Sequence, residues 1–338
     1  MPPKKASIIQ RLRDAGIFEV PEHLLQPSLV KPASQLGRIF DPLEAKKRWP
    51  KDLPSEFIEN IQPAQLLARH FLEMPNLMNW WAKLCLGQLA VNNSLPDNPR
   101  YYLQDVHMDE RTVERTMQIM NEVQDYIKFG FTDKHPWAGG RTRIHRATAP
   151  GPWQATKAPS WADSKLVHSE VARRIRITFR SEDLEYFSSK EIRQNDRNWY
   201  FQKCFRFAII LVHELAHTIE LYRFHGKVSG NNIWHSLLDE GPEIGESWEA
   251  AFLPYKVAIG PDVTWFADWS SRHKNLRKRQ LEVKPKSGVV EGRVLFRAVP
   301  MRWIANFSSE AFWQQLAKEK HDITLPENYV EVEYRSFG

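Results

Sequence analysis

Twenty-two residues, FQKCFRFAIILVHELAHTIELY from Phe201 to Tyr222, run without a glycine or a proline. Asn195 or Asp196 offers an N-cap before them, and Gly226, just past His225, a C′ glycine after them. The pattern predicts one long helix. Twelve of its side chains, among them Phe201, Phe205, Phe207, Ile209, Leu211, Val212, Leu215 and Ile219, leave it apolar nearly all round. A helix of that kind belongs in a protein core. It does not read as a membrane span, because Arg206, His213, Glu214 and His217 interrupt it, and no other stretch reaches eighteen apolar residues.

Within this helix stands His213-Glu214-Leu215-Ala216-His217, the pattern H-E-x-x-H. Residues four apart project from one helix face, one turn apart. Both imidazoles can therefore reach one Zn2+ at roughly 2.0–2.1 Å. Glu214 follows the first histidine and can take a proton from water beside the metal, which makes it the candidate general base. Two histidines and a glutamate in an apolar helix are costly to bury unless something satisfies them, and a metal is the simplest partner. The expected cofactor is Zn2+.

A catalytic zinc takes three protein ligands and keeps one open position. The spacing HExxHxxGxxH would need a histidine at 223, and that residue is Arg223, so this arrangement is excluded. His235 is one remaining candidate. Glu243, Glu246 and Glu249, in the segment EIGESWE, are better ones. If that segment is helical, Glu243 and Glu246 share a face and Glu249 lies one turn past Glu246.

The remainder of the chain sets the context. It has 338 residues, 42% hydrophobic and 26% charged, the composition of a globular protein. Cys85 and Cys204 are its two cysteines; both sit in apolar helical contexts and are expected as buried thiols in a reducing compartment. The opening MPPKKASIIQRLRDAG lacks the apolar run of a secretory signal, so an intracellular location is expected. The net charge is +6, with the densest basic run at Arg272–Arg279. No zinc-finger, phosphate-loop or RNA-recognition pattern accompanies that run, which reads as a solvated face and argues against a nucleic-acid partner.

Residues 1–53 read as a proline-punctuated N-terminal arm with short helices at Ser7–Ala15 and Pro42–Arg48. Residues 54–338 read as one α+β domain, mainly helical, with a small sheet beside the HExxH helix. Helical patterns fill 54–93, with Pro63 and Pro75 each placed to open a first turn. Trp80-Trp81 is expected in the core. A backing helix is predicted over Asp109–Phe129, and Thr132–Trp161 reads as a long loop or cover. Ile175, Ile177 and Phe179 alternate with Arg176, Thr178 and Arg180, a half-buried strand read as the sheet edge along which an extended peptide would lie. The tail predicts a strand at GRVLFRAV, a helix at SSEAFWQQLAKEK and a last strand in NYVEVEYRSF.

HELAH followed by EIGESWE resembles the gluzincin metallopeptidases, in which a glutamate on a second helix completes the site. More narrowly, the chain resembles a group of uncharacterised fungal proteins with zincin-like domains, through HELAH, the Glu243–Glu249 segment, and the stretch from Pro300-Met301-Arg302-Trp303 to Phe312-Trp313. The resemblance covers about Trp199 to the C-terminus. It implies a zincin-like fold, Glu243 as the third ligand and Glu249 as a carboxylate behind a ligating histidine, while the familiar gluzincin spacing fits Glu246 equally well.

The expectation is a zinc-dependent, peptidase-like hydrolase acting on a peptide or protein. Two alternatives come with it. One is a non-proteolytic zincin-fold scaffold or accessory protein of a biosynthetic pathway. The other is a DNA-associated metalloprotease using His235. Tyr222, His225, His235 and Tyr255 are the candidates for stabilising an oxyanion.

Overall fold

The computed structural model describes residues 8–24, 38–41, 44, 46–92, 100–124, 127–132, 140–144, 175–190, 197–224, 233–236, 239, 243–253, 255–259, 264–268, 292–319, 323 and 330–336. Its helices are α1 (Ile8–Asp14), α2 (Ser55–Leu72), α3 (Met78–Leu86), α4 (Glu110–Gln124), α5 (Ser181–Phe187), α6 (Arg197–Phe224), α7 (Ile244–Phe252), α8 (Met301–Asn306) and α9 (Glu310–Glu319). The strands are β1 (Leu89–Asn92), β2 (Arg100–Leu103), β3 (Lys128–Thr132), β4 (Gly140–Ile144), β5 (Ile175–Arg180), β6 (Ile233–Trp234), β7 (Tyr255–Ile259), β8 (Thr264–Asp268), β9 (Gly292–Ala298) and β10 (Val330–Ser336). The architecture is α+β and mainly helical. Its strands form three small sheets, in the orders β1-β2-β6, β3-β5-β4 and β10-β9-β8-β7.

The apolar circumference of α6 is explained by what surrounds it. α2 runs along one side, with Phe71 edge-on to Phe205 and the Tyr200 hydroxyl donating to the Asn60 carbonyl at 2.8 Å. The sheet holding β5 covers another side, where Phe179 and Phe207 have ring centroids 4.8 Å apart. α8 and the residue that follows it cover a third through Trp303 and Phe307, both against Phe205. Trp248 and Phe252 of α7 stack at 5.1 Å, and Phe252 meets Phe71 at 4.5 Å. Trp81 is fully buried with Trp248 beside it, so the tryptophan pair belongs to the core as expected. Each such side chain stabilises the fold by roughly 1.5–3 kcal/mol.

Four local expectations are corrected. Pro63 does not start a second helix; α2 continues through it. Its missing amide and ring cost about 3 kcal/mol in a helix interior. Burial of Phe57, Ile61, Ala64, Leu67, Ala68, Phe71 and Leu72 along the same helix outweighs that cost. The backing helix starts as read, with Asp109 accepting from the Thr112 amide at 2.7 Å, but it stops at Gln124. Phe129 instead lies in β3, held by pairing with β5 and by Trp49, whose ring centroid is 4.5 Å from that of Phe129. The segment read as a loop from Thr132 contributes β4. In consequence Ile175–Arg180 is the central strand of its sheet, parallel to β3 and antiparallel to β4, and not the edge. The buried alternation expected of it is present, with Ile175, Ile177 and Phe179 all inward.

The N-terminal arm is tied down at separate points. Met301 donates its amide to the Ile17 carbonyl at 2.7 Å, and Asn198 donates to the Phe18 carbonyl at 2.8 Å. Asp41 is buried and accepts from Arg69 at 3.1 Å, while the Ile39 amide donates to Gln124 at 2.8 Å. Cys85 and Cys204 are buried free thiols, and burial pushes the Cys85 thiol up to about 12. No helix among the described residues is long and apolar enough to cross a membrane. The caps expected at Asn195, Asp196 and Gly226, and the basic run Arg272–Arg279, lie outside the described residues.

Candidate metal centre

The centre is built where a half-buried face of α6 meets the start of α7. His213 and His217 stand one turn apart on α6, their ring centroids 5.1 Å apart. Neither is fully buried: their side chains are 19% and 25% exposed, whereas Glu214 is only 3% exposed. The face carrying the histidines is thus reachable from solvent.

α7 brings the carboxylates. Glu243 is its N-cap, and Oε2 accepts the backbone amide of Glu246. A carboxylate at a helix N-terminus satisfies one orphan amide and is favoured by the helix dipole. That leaves Oε1 free to face the histidines: it pairs with His217 Nε2 and lies 3.5 Å from His213 Nε2. One ligand atom from each of His213, His217 and Glu243 lies within 4.8 Å of the other two. These three residues could hold a metal ion.

The histidines' other nitrogens are also engaged. His213 Nδ1 lies 2.6 Å from Glu249 Oε1, and His217 Nδ1 lies 3.2 Å from Glu220 Oε2. A carboxylate on Nδ1 makes that nitrogen a donor and turns Nε2 toward the centre. Burial by itself lowers both imidazoles, but the carboxylates outweigh it. Glu243 and Glu249 hold His213 well above its ordinary value, and Glu220 and Glu243 raise His217 to about 9. Glu243 answers in kind: burial would raise its carboxyl, and the two histidines hold it far below the usual carboxylate range. A divalent cation binding here would displace the protons that the two imidazoles hold.

Two glycines make the approach of the elements possible. A Cβ on Gly245 would stand 2.5 Å from His213 Cδ2 and Cε1, so only glycine lets α7 come this close to α6. A Cβ on Gly140 would stand 2.7 Å from Glu214 Cγ and 2.9 Å from Ile210 Cγ2, so β4 rests directly on the helix. Glu214 sits on that β4 side, with Thr142 donating to Oε2 at 2.7 Å.

The other candidates lie elsewhere. Glu246 gives its backbone amide to Glu243, and its carboxylate is not among the three grouped ligands. His235 is buried in the core: its ring stacks on Trp80 at 4.4 Å and its Nε2 meets the Trp80 carbonyl at 3.0 Å. Burial lowers it to about 4. It is a core histidine, and both roles expected of it as an alternative ligand are withdrawn. Arg223 donates from both terminal nitrogens to the carbonyls of Leu84 and Gly87, closing the C-terminal end of α3. Position 223 is therefore turned away from the centre. Tyr222 packs on the main core, while His225 and the side chain of Tyr255 lie outside the described residues.

Glu220, Thr142, Gly140 and Gly245 were not singled out from the sequence. Glu220 was accessible to it, being three residues past His217 on the same helix. Comparison with protein-family models, with curated proteins and with solved structures gives no match for this chain.

Proposed function

We propose that this chain is a zinc-dependent hydrolase of peptides or proteins, with His213, His217 and Glu243 as metal ligands and Glu214 as general base. The observation that carries the reading is the convergence of two imidazole Nε2 atoms on one carboxylate oxygen, each imidazole backed by its own carboxylate. The donor set fits a catalytic zinc, with two nitrogens and one oxygen as its three protein ligands.

Zinc held there would supply Lewis-acid polarisation of a carbonyl and acidify water. The protein's own residues supply the rest. Glu249 and Glu220 fix the imidazole tautomers. Glu214 is not one of the three ligands, and in this reading its carboxylate takes a proton from water and passes it to the leaving amine. β4 hydrogen-bonds to β5 on one side, and its other side has no strand partner among the described residues. An extended peptide pairing there would lie alongside the strand that rests on Glu214.

The test is Glu214→Gln. Zinc content and fold stay as in the wild type, while cleavage of any peptide found in a broad library screen falls by roughly 10²–10⁴-fold, the worth of general acid–base catalysis. Turnover at the wild-type rate sinks the mechanism.

One observation favours the scaffold alternative: His217 and Glu243 pair directly, so protons alone can satisfy the cluster. That reading expects metal-free protein, or zinc with a fourth protein ligand, and no cleavage. The DNA-associated alternative loses its third-histidine support with His235 stacked on Trp80.

A further inference from the structure

Glu214 has its two carboxylate oxygens in unlike surroundings, and the difference comes from β4. Gly140 and Thr142, two residues apart on one strand, share the face toward α6. The Thr142 Oγ1 lies 2.7 Å from Glu214 Oε2 and 2.9 Å from the Glu214 carbonyl oxygen. A hydroxyl has one hydrogen to donate. The carbonyl is already supplied: it takes the Thr218 hydroxyl at 2.9 Å and, in mid-helix, the amide four residues on. Two donors fill its two lone pairs, so the Thr142 hydrogen goes to Oε2. Oε1 lies over Gly140, where an added Cβ would stand 2.8 Å from it.

We infer that Thr142 is a positioning residue for the general base, anchoring Oε2 so that Oε1 is the atom that receives the proton, and that Gly140, having no side chain, lets β4 come close enough for this contact. The inference rests on the proposed hydrolase reading of this centre. In the step it describes, an O–H bond of water breaks and a new O–H bond forms on Oε1. Glu214 passes from carboxylate to acid while Oε2 keeps the Thr142 hydrogen. Without that anchor the carboxylate is free to turn about its terminal torsion, which is broad and roughly two-fold.

The experiment compares zinc-loaded wild type with Thr142→Val and Thr142→Ser. Valine keeps the branched shape and lacks the hydroxyl, whereas serine keeps the hydroxyl. With a library peptide that the wild type cleaves, Thr142→Val is expected to retain its zinc and its KM and to lose roughly 10- to 100-fold in kcat, the worth of a hydrogen bond to a charged group. Thr142→Ser recovers most of that loss. A valine variant as fast as wild type, or a serine variant as slow as the valine one, overturns the assignment.

A stability cycle decides the contact independently of activity. Thr142→Val lowers Tm in the wild-type background and leaves it nearly unchanged when Glu214 is already Ala. Equal losses in both backgrounds overturn the inference. A wild type that cleaves no peptide overturns the hydrolase reading instead, and the cycle then still tells whether Thr142 holds Glu214.

Discussion

His213 Nδ1 and Glu249 Oε1 lie 2.6 Å apart across the junction of two helices, although the residues are 36 apart in the chain. This pairing fixes which nitrogen of His213 faces Glu243, and so it fixes the polarity of the centre. His217 has the same relationship with Glu220, from within its own helix.

Removing either supporting carboxylate should weaken the centre without abolishing it. Glu249→Ala and Glu220→Ala are each expected to bind zinc about 10- to 100-fold more weakly than wild type, the usual effect of losing a partner behind a ligating histidine. Competition against a chelating dye measures this directly. Wild-type affinity in both variants would show that the carboxylates do not orient the ligands.

Gly245→Ala tests the close approach of the helices. The added methyl would stand 2.5 Å from ring atoms of His213, so either the imidazole or α7 has to shift. Zinc affinity and Tm are expected to fall together. A variant that keeps both would mean that α7 can yield at no cost, and that the three ligand atoms are held by something other than this packing.

The pH dependence of the metal-free protein has a definite sign. His217 rises from 6.5 to about 9 on folding, and His213 moves in the same direction. The stability this contributes is present in full below about pH 6.5 and is lost as pH rises through about 9. Glu243 has the opposite sense, its contribution being lost only in acid as its depressed carboxyl takes up a proton. Tm of the metal-free protein should therefore decline from pH 6.5 to 9. Zinc needs both imidazoles neutral, so the gain in Tm on adding zinc should grow over the same interval. A metal-free Tm that rises there contradicts the proton placement.

How much of this was legible in the sequence depended on distance along the chain. The His213–His217 pair and the long helix under it follow from four-residue spacing and an unbroken apolar run, both local. The strands Ile175–Arg180, Gly292–Ala298 and Val330–Ser336 were readable from their composition. β4 was not. Its Gly140 and Thr142 sit in a glycine- and tryptophan-rich stretch, and it is a strand because β5 pairs with it and Glu214 receives it. Phe129 differs from its helical expectation for a related reason: the helical period upstream continues past Gln124 in the sequence, while β5 and Trp49 hold Phe129 in a strand. Pro63 follows the same logic, tertiary burial overriding a local signal. His235 looked like a ligand only because its partner, Trp80, is 155 residues away in the chain.

His235 itself gives a fourth prediction. His235→Ala removes the stacking on Trp80 and the partner of a buried carbonyl, the latter worth about 1–3 kcal/mol. Tm should drop by several degrees while zinc affinity stays at the wild-type level. Loss of zinc with an unchanged Tm would restore His235 as a ligand.

The most direct test of the centre is elemental analysis of purified wild type, Glu243→Ala and Glu246→Ala. The account predicts about one zinc per chain in the wild type, retained in Glu246→Ala and lost or greatly reduced in Glu243→Ala. Full zinc in Glu243→Ala with loss in Glu246→Ala would contradict it, as would a wild-type chain that takes up no zinc at all.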